Sequence, residues 1–231
     1  MNLDNEEEII KELNPILQTL SAEKRIEWAL DHFGSSVVMT SSFGIQSAVL
    51  LHLVTTLQPD IPVIFIDTGY LFPETYAYCD QLTNLLNLDI RVVRSEISPA
   101  WQESRFGKLF WENGKEGIIR YNNLNKLIPF QTALSELFVN AWFSGLRRHV
   151  NKRTQLKSRS ELQFIVLNRG RFNIHPILDW SEKAIQLYME TNSLPVHPLA
   201  KEGYLSVGDW HSTSLPLVTD EGMEEEEDYQ I

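Results

Sequence analysis

Short apolar runs alternate with segments of helical periodicity along most of this chain. The apolar, mainly β-branched residues 37–39 are followed by small polar residues, after which Ile45, Ala48 and Val49 recur at the spacing of one helix face. This change of period predicts a buried strand, a tight turn and a helix over 45–57.

The same alternation continues towards the C-terminus. The apolar run 63–66 predicts a second strand, and Pro73 suits the first turn of a helix that continues through Leu86. Further strands are predicted in "DIRVVRSE", in "AWFSG" and, as a pair, in "QFIVLNRGRFNIHPI"; further helices are predicted in "SAEKRIEWALDHF", with Ser21 as N-cap, and in "SEKAIQLYMETN". Because strands alternate with helices, we predict an α/β fold with a doubly wound, mostly parallel sheet flanked by helices.

Polar clusters follow three of the predicted strands. In a parallel sheet, ligands sit beyond the carboxyl ends of the strands, so these clusters are candidates for one site. The clusters are Ser41, Ser42 and Gly44; Asp67, Thr68 and Gly69; and Gly145, Arg147 and Arg148.

Each cluster has a binding interpretation and a structural one. The first turn, at the start of a helix, either cradles an anion or is an ordinary strand–helix connection. Asp67 either accepts a hydrogen bond from a ribose hydroxyl or adenine amino group, or caps the following turn. The guanidinium groups of Arg147 and Arg148 match phosphate or sulfate oxygens, and Lys126 is a further cation that could reach the same anion.

The charge distribution narrows the class of partner. A formal net charge of −11 argues against binding to nucleic acid or to an anionic membrane. Basic residues nevertheless concentrate in "RRHVNKRTQLKSR", which favours a small polyanionic ligand over the alternative of a solvated basic loop. The acidic N-terminus and the short apolar runs predict a cytoplasmic protein without secretory signal or membrane span.

The chain contains a single cysteine, Cys79. One thiol excludes an internal disulfide framework and any zinc site or iron–sulfur cluster held by several cysteines of this chain. Cys79 falls in a helix predicted to pack on the sheet, so we expect a buried, inert thiol. The histidines are spaced too irregularly to suggest a metal site, and for His175 and His197, which each precede a proline, we predict turn or packing roles.

Six motifs together resemble phosphoadenylyl-sulfate reductases, the thioredoxin-dependent family of assimilatory sulfate reduction. They are "SSFGIQSAVLLHL", "PDIPVIFIDTGYLFPETY", "AWQESRFGKLFWENGKEGI", "YNNLNKLIP", "AWFSGLRR" and "HPLAKEGYLSVGDWHST". The resemblance implies an adenine nucleotide α-hydrolase-like sheet with a modified PP-loop, and a homodimer. We expect a helical segment over 1–34, the nucleotide-binding α/β domain over 35–215 and an acidic C-terminal tail over 216–231.

The resemblance also implies roles for individual residues. Ser41, Ser42, Phe43, Gly44, Gln46 and Ser47 match the PP-loop; Asp67, Thr68 and Gly69 match the adenosine side; Lys126, Arg147 and Arg148 match positions associated with the 3′-phosphate and sulfate; Tyr204 matches a tyrosine implicated in catalysis; Asp209 and His211 close the same loop. A further arginine is expected after "GLRR", either Arg153 or Arg159, of which we favour Arg153.

The implied reaction is reduction of 3′-phosphoadenylyl sulfate (PAPS) to sulfite and adenosine 3′,5′-bisphosphate, with thioredoxin as external reductant and no bound cofactor. The family's nucleophile is a cysteine in a C-terminal Glu-Cys-Gly-Leu-His motif, whereas this sequence ends in "MEEEEDYQI", and we therefore expect it to be truncated. Sister enzymes that act on adenylyl sulfate carry cysteines for a four-iron cluster. One cysteine cannot hold that cluster, so the 3′-phosphorylated nucleotide is the predicted ligand.

Two other functions stay open from the sequence. One is a PP-loop ATP pyrophosphatase, ligase or adenylyltransferase, although Gln46 stands where such enzymes carry an aspartate. The other is a non-catalytic nucleotide-binding homologue that has lost its nucleophile.

Overall fold

The computed structural model describes residues 3–148, 162–165, 170–215, 217–219 and 222–224. Within these residues six strands form one sheet in the order β3-β2-β1-β4-β6-β5. The strands are β1 (Val37–Thr40), β2 (Pro62–Ile66), β3 (Asp89–Val93), β4 (Ala141–Phe143), β5 (Leu162–Ile165) and β6 (Arg171–Ile174). All neighbours pair in parallel except β5 and β6, which are antiparallel, so the predicted mostly parallel sheet is confirmed.

Helices flank the sheet on both faces. They are α1 (Leu3–Thr19), α2 (Ala22–Phe33), α3 (Ser47–Leu57), α4 (Pro73–Leu86), α5 (Pro99–Phe106), α6 (Gly114–Asn122), α7 (Ile128–Glu136) and α8 (Glu182–Thr191). Ser21 accepts a hydrogen bond from the Lys24 backbone N–H at 3.4 Å, which confirms it as the N-cap of α2. No helix in the described part of the chain has both the length and the apolar character needed to cross a bilayer.

The structure differs from the sequence predictions in several places, among them residues 99–136, where α5, α6 and α7 form and the sequence analysis predicts no element. Helix α3 begins at Ser47, two residues later than predicted, because the Gln46 backbone is not helical (φ −116°, ψ 13°). The tail contains a short antiparallel pair, β7 (Leu217–Thr219) and β8 (Gly222–Glu224), which its acidic composition does not predict.

The central strands β1, β2 and β4 are buried on both faces, as expected for parallel strands that read as continuous apolar runs. Val37 and Met39 of β1 face the larger core cluster, which also contains residues of α2, α3 and α4. Val38, between them, packs in a second cluster with Ala133 and Leu134 of α7. The alternation of side chains along β1 therefore joins two helical layers through one strand.

Strand order determines where a ligand site can form. The chain leaves β1 towards β2 and β3 on one side, and continues through β4 and β6 on the other. In doubly wound sheets the crevice opens where the order reverses, beyond the carboxyl ends of the strands on either side. This point lies between β1 and β4, where two of the three polar clusters emerge.

Candidate functional site

The turn between β1 and α3 is held in a defined shape. The Ser41 N–H donates to the Ile64 carbonyl of β2 at 3.1 Å, and the Ser41 Oγ accepts from the Phe43 N–H at 3.1 Å. Phe43 has a left-handed backbone (φ 53°), which is uncommon outside glycine, and its fully buried ring packs edge-on against Phe65 at a centroid distance of 5.0 Å. Burial of the ring stabilises a backbone conformation that would otherwise be unfavourable.

Helix α3 starts at this turn without a side-chain cap. Gln46 occupies the N-cap position, but its side chain makes no capping bond. The positive end of the helix dipole therefore faces the turn with no carboxylate or hydroxyl of its own cap to neutralise it. An ideal Cβ on Gly44 would lie 3.4 Å from the Val207 carbonyl oxygen, so the loop that contains Tyr204 and Asp209 packs close to this turn.

Gln46 instead connects the first polar cluster to the third. Its Oε1 accepts a hydrogen bond from Arg147 Nη2, and its Nε2 donates to Glu182 Oε1 at the start of α8. Arg147 Nη2 also lies 3.1 Å from Glu182 Oε2. The structure thus brings together Gln46 and Arg147, as the adjacency of β1 and β4 requires, and adds Glu182.

Glu182 is a residue that the sequence analysis missed. It follows the N-cap Ser181, whose Oγ accepts from the Ala184 N–H at 3.2 Å. An acidic residue in the first turn of a helix is explained by the helix dipole alone, so its sequence context carries no signal of a contact with Arg147.

The other arginines of the basic stretch are placed only in part. The Arg148 backbone N–H donates to the Leu178 carbonyl at 2.8 Å, next to Asp179. Arg153 and Arg159 lie outside the described residues, so the choice between them stays a prediction.

The Asp67 carboxylate accepts hydrogen bonds from other groups of the protein. Its Oδ1 accepts from the Gly69 N–H at 2.9 Å and the Tyr76 hydroxyl at 2.6 Å, and its Oδ2 accepts from Arg94 Nε at 2.9 Å. A carboxylate has about four acceptor directions, so three are occupied. The turn-capping interpretation of Asp67 is therefore present in the structure, and little capacity is left for a nucleotide. Burial, followed by the Asp67 hydrogen bond, raises the pKa of Tyr76.

Gly69 has a steric reason to be glycine. Its φ is 76°, and a Cβ at this position would lie 2.6 Å from Pro99 Cγ at the start of α5. The loop after β2 can therefore approach α5 closely only without a side chain here.

An ion pair with a buried carboxylate lies next to this loop. Asp209 Oδ1 accepts a hydrogen bond from Thr68 Oγ1 at 2.5 Å, and Asp209 Oδ2 lies 2.9 Å from Lys126 Nζ. The contacts of Lys126 and those of Arg147 thus form two groups, one beside β2 and one beside β4, whereas the sequence analysis considered both cations for the same anion.

Aromatic rings pack against one another beside this ion pair, with Lys126 Nζ 5.8 Å from the centre of the Tyr121 ring. The His211 ring stacks on Trp111 at 4.2 Å and meets Tyr121 edge-on at 4.6 Å. Burial lowers the pKa of His211, against the opposing charge of Asp209. Burial, with Asp209 adding to it, raises the pKa of Tyr121. Burial therefore favours the neutral form of both side chains.

Tyr204 lies on the loop that follows a 3₁₀ turn at Pro198–Glu202. Its backbone N–H donates to the Leu199 carbonyl at 3.2 Å, and its half-buried ring packs against Phe72 at a centroid distance of 6.0 Å. Phe72 directly precedes α4, so Tyr204 stands at the same end of the sheet as the Asp67 loop.

The other singled-out residues have structural roles. Cys79 is buried on α4, as predicted. His175 Nδ1 lies 2.8 Å from Ser144 Oγ, and His197 Nδ1 accepts from the Leu199 N–H at 3.2 Å, so both histidines have the predicted packing or turn roles.

The model of the phosphoadenosine phosphosulfate reductase domain matches residues 36–215 of this chain. The chain belongs to this family. A phosphoadenosine 5′-phosphosulfate reductase of Buchnera aphidicola subsp. Acyrthosiphon pisum (strain Tuc7) is 52% identical over 227 residues, which are 98% of this chain and 89% of the relative. One of Serratia proteamaculans is 53% identical over 215 residues, covering 93% and 84% of the two chains.

Solved structures agree with this assignment. The phosphoadenylyl-sulfate reductase of Candida auris, crystallised as a phosphate complex, superposes with a TM-score of 0.77 at 28% identity, covering 89% of this chain and 96% of that one. A Candida glabrata FMN adenylyltransferase reaches a TM-score of 0.61 at 15% identity, covering 93% and 75% of the two chains. The second likeness concerns the fold alone.

Proposed function

We propose that this protein reduces PAPS to sulfite and adenosine 3′,5′-bisphosphate in assimilatory sulfate reduction, with thioredoxin as electron donor. The observation that carries the proposal is the contact between Arg147 and Gln46, which places a guanidinium at the uncapped start of α3 in a chain of this family. A planar cationic group beside a helix N-terminus without a side-chain cap suits a nucleotide with phosphate and sulfate groups.

The cationic groups of the site lie at two separate positions, which fits such a ligand. The PP-loop residues and Arg147 offer an anion site between β1 and β4, and Lys126 offers a second cation beside β2. Two cationic positions match a ligand that carries anionic groups at the 3′ and 5′ positions of one ribose. Tyr204, on the loop that packs near Gly44, keeps the catalytic role that the family resemblance implies.

The chemistry needs a nucleophilic thiolate. Its sulfur attacks the sulfur of PAPS, the bond between that sulfur and the bridging oxygen breaks, and adenosine 3′,5′-bisphosphate leaves with the electron pair. A thioredoxin thiolate then attacks the cysteine sulfur of the S-sulfonated product, sulfite leaves, and the mixed disulfide is resolved by the second thioredoxin thiol. Two electrons thus pass from the thioredoxin dithiol to sulfur.

Cys79 is unsuited to this step, because burial raises the pKa of its thiol to about 11. The proposal therefore excludes Cys79 as the nucleophile; the family resemblance implies a cysteine of a Glu-Cys-Gly-Leu-His motif in that role. It also takes the enzyme to act as a cytoplasmic homodimer without a bound cofactor, as the family resemblance implies.

Calorimetric titration with adenosine 3′,5′-bisphosphate tests the binding part of the proposal. Arg147→Ala should weaken binding by about tenfold or more, because a charge-assisted contact to an anionic group is lost. The affinity of the variant should also depend less on salt, since fewer charges are screened. Arg91→Ala is the control: Arg91 forms an exposed pair with Asp89 on the edge strand β3, and its loss should leave binding unchanged.

Two results would contradict the proposal. Equal affinity of wild type and Arg147→Ala would remove Arg147 from the site. Release of pyrophosphate from ATP and magnesium, without binding of the bisphosphate, would favour an adenylyltransferase-type function instead.

A further inference from the structure

The ion pair between Lys126 and Asp209 combines a buried acid with an accessible base. The Asp209 side chain is 1% exposed, whereas that of Lys126 is 32% exposed. Burial of an unpaired carboxylate costs free energy. Here the carboxylate accepts a hydrogen bond from the Thr68 hydroxyl and lies within ion-pair distance of the Lys126 ammonium. The ammonium of this pair is therefore accessible to solvent, whereas the carboxylate is not.

The carboxylate is the fixed member of this pair. Asp209 forms an isolated antiparallel bridge with Leu71, and the next residue, Trp210, donates its N–H to the Tyr70 carbonyl at 2.8 Å. With the Thr68 hydrogen bond added, both the backbone and the side chain of Asp209 are attached to the loop after β2. A lysine side chain has four rotatable bonds, so its ammonium adopts the position that the carboxylate dictates.

The backbone of Lys126 is also held in an unusual way. It belongs to a π-helical turn, Asn123–Leu127, between α6 and α7. The fully buried Asn125 in this turn exchanges two amide hydrogen bonds with the buried Gln102 of α5, at 2.7 and 2.8 Å. Both ends of the Lys126 side chain are therefore fixed, and π-helical turns occur frequently at functional sites.

We propose that Asp209 is a positioning residue, whose buried carboxylate holds the Lys126 ammonium so that it contacts a phosphate group of the bound nucleotide. The ammonium has three donors, and its 2.9 Å ion-pair contact with Asp209 Oδ2 occupies at most one of them, so donors remain for the ligand. This inference rests on the proposed function, because it assumes that an anionic nucleotide binds at this end of the sheet. The position of Asp209 in the loop motif suggested a direct contact with the nucleotide. In this inference Asp209 acts through Lys126 instead.

The sign of the effect of Asp209→Asn separates positioning from simple electrostatics. Asparagine is close in size to aspartate and can still accept the Thr68 hydrogen bond, but it no longer pairs with the ammonium. If Asp209 acted only through its charge, its removal would reduce repulsion and tighten binding of an anion. If Asp209 positions Lys126, binding of adenosine 3′,5′-bisphosphate should weaken, by about tenfold.

A double-mutant cycle in the full chain tests whether Asp209 acts through Lys126. Lys126→Gln retains a donor for the buried carboxylate and should weaken binding at least as much as Asp209→Asn. The double variant should bind no more weakly than Lys126→Gln alone, because the positioned group is already absent. The inference would be overturned if Asp209→Asn weakened binding equally in the wild-type chain and in the Lys126→Gln variant. Tighter binding by Asp209→Asn than by wild type would also overturn it.

Phosphorus NMR of the bound nucleotide reports on each phosphate group separately. A general loss of protein stability would not shift one resonance selectively. Both single variants should shift the same one of the two phosphorus resonances and leave the other in place. Asp89→Asn, which breaks the exposed pair with Arg91 at the start of β3, is the matched control and should shift neither. A shift of different resonances by the two single variants would contradict the inference. Wild-type protein that does not bind the bisphosphate would instead overturn the proposed function.

Discussion

At the scale of single residues, the environment of Cys79 determines what its thiol can do. Its side chain is on α4 within the larger core cluster, with 7% of the residue exposed. Burial raises the pKa of the thiol to about 11, because the charged thiolate is poorly solvated there. At pH 8 only about one thiol in a thousand is then ionised, and the thiolate is the nucleophile.

Alkylation kinetics test the inertness of Cys79. Iodoacetamide at pH 8 should label the folded protein on the order of a hundredfold more slowly than the protein in urea, where the thiol is exposed and has an ordinary pKa. Cys79→Ala should bind adenosine 3′,5′-bisphosphate with wild-type affinity. Sulfonation of Cys79 by PAPS, located by mass spectrometry, would contradict this prediction and identify Cys79 as the nucleophile.

At the scale of elements, the amide pair between Gln102 and Asn125 connects α5 to the π-helical turn. Gln102 Nε2 also donates to the Ile97 carbonyl at 3.0 Å, and Asn125 Nδ2 to the Tyr121 carbonyl at 3.3 Å. Both side chains are fully buried. Each amide is therefore satisfied by the other and by nearby backbone, and neither can turn to water if its partner is lost.

Replacing one amide should be more harmful than replacing both. Asn125→Leu leaves the buried Gln102 amide without two of its partners and should lower the free energy of unfolding by about 2–4 kcal/mol. The double variant with Gln102→Leu removes both polar groups and should recover part of that loss. Urea denaturation measures both values; a double variant as unstable as the sum of the two single variants would contradict the explanation.

At the scale of the whole molecule, Arg25 joins the N-terminal helices to the segment before α8. The side chain is 1% exposed, and its guanidinium contacts both Asp179 carboxylate oxygens, at 2.6 and 3.0 Å. It also donates to the Leu17 carbonyl at 2.9 Å and the Pro176 carbonyl at 2.8 Å. One buried arginine thus satisfies acceptors from distant parts of the sequence.

Loss of Arg25 should destabilise the molecule far more than loss of its neighbour Lys24. Arg25→Met leaves buried carbonyls without a donor and should lower the free energy of unfolding by about 3 kcal/mol. Lys24 pairs with Glu27 on the exposed side of the same helix, so Lys24→Met should cost less than about 1 kcal/mol. Equal losses in urea denaturation would contradict the structural role of Arg25.

The ion pair between Arg25 and Asp179 makes the free energy of unfolding depend on pH. Burial works to raise the pKa of Asp179, but the hydrogen bonds and charge of Arg25 outweigh it and lower the pKa. A carboxylate with a lowered folded-state pKa stabilises the protein above its unfolded pKa of about 4, and this contribution is lost as the pH falls through the folded-state value. Arg25→Met should therefore lose less stability than wild type on acidification below about pH 4.

The sequence by itself determined the features that depend on neighbouring residues. The strands, most helices, the Ser21 cap and the burial of Cys79 follow from apolar periodicity and local hydrogen bonding, which operate within a few residues. The alternation of these elements also predicted the sheet and the end at which its polar clusters would meet. Motif resemblance supplied the family, which the comparisons confirm.

Only the tertiary structure decided which side chains of distant segments pair. Glu182 contacts Gln46 and Arg147, and Asp209 contacts Thr68 and Lys126, although no local pattern links these positions. Whether Asp67 caps its turn was likewise open from the sequence; in the structure it accepts from the Gly69 N–H, and Tyr76 and Arg94 occupy two of its other acceptor directions. The physical reason is that a polar side chain has several possible partners, and strand order and loop packing determine which of them lies within hydrogen-bonding distance.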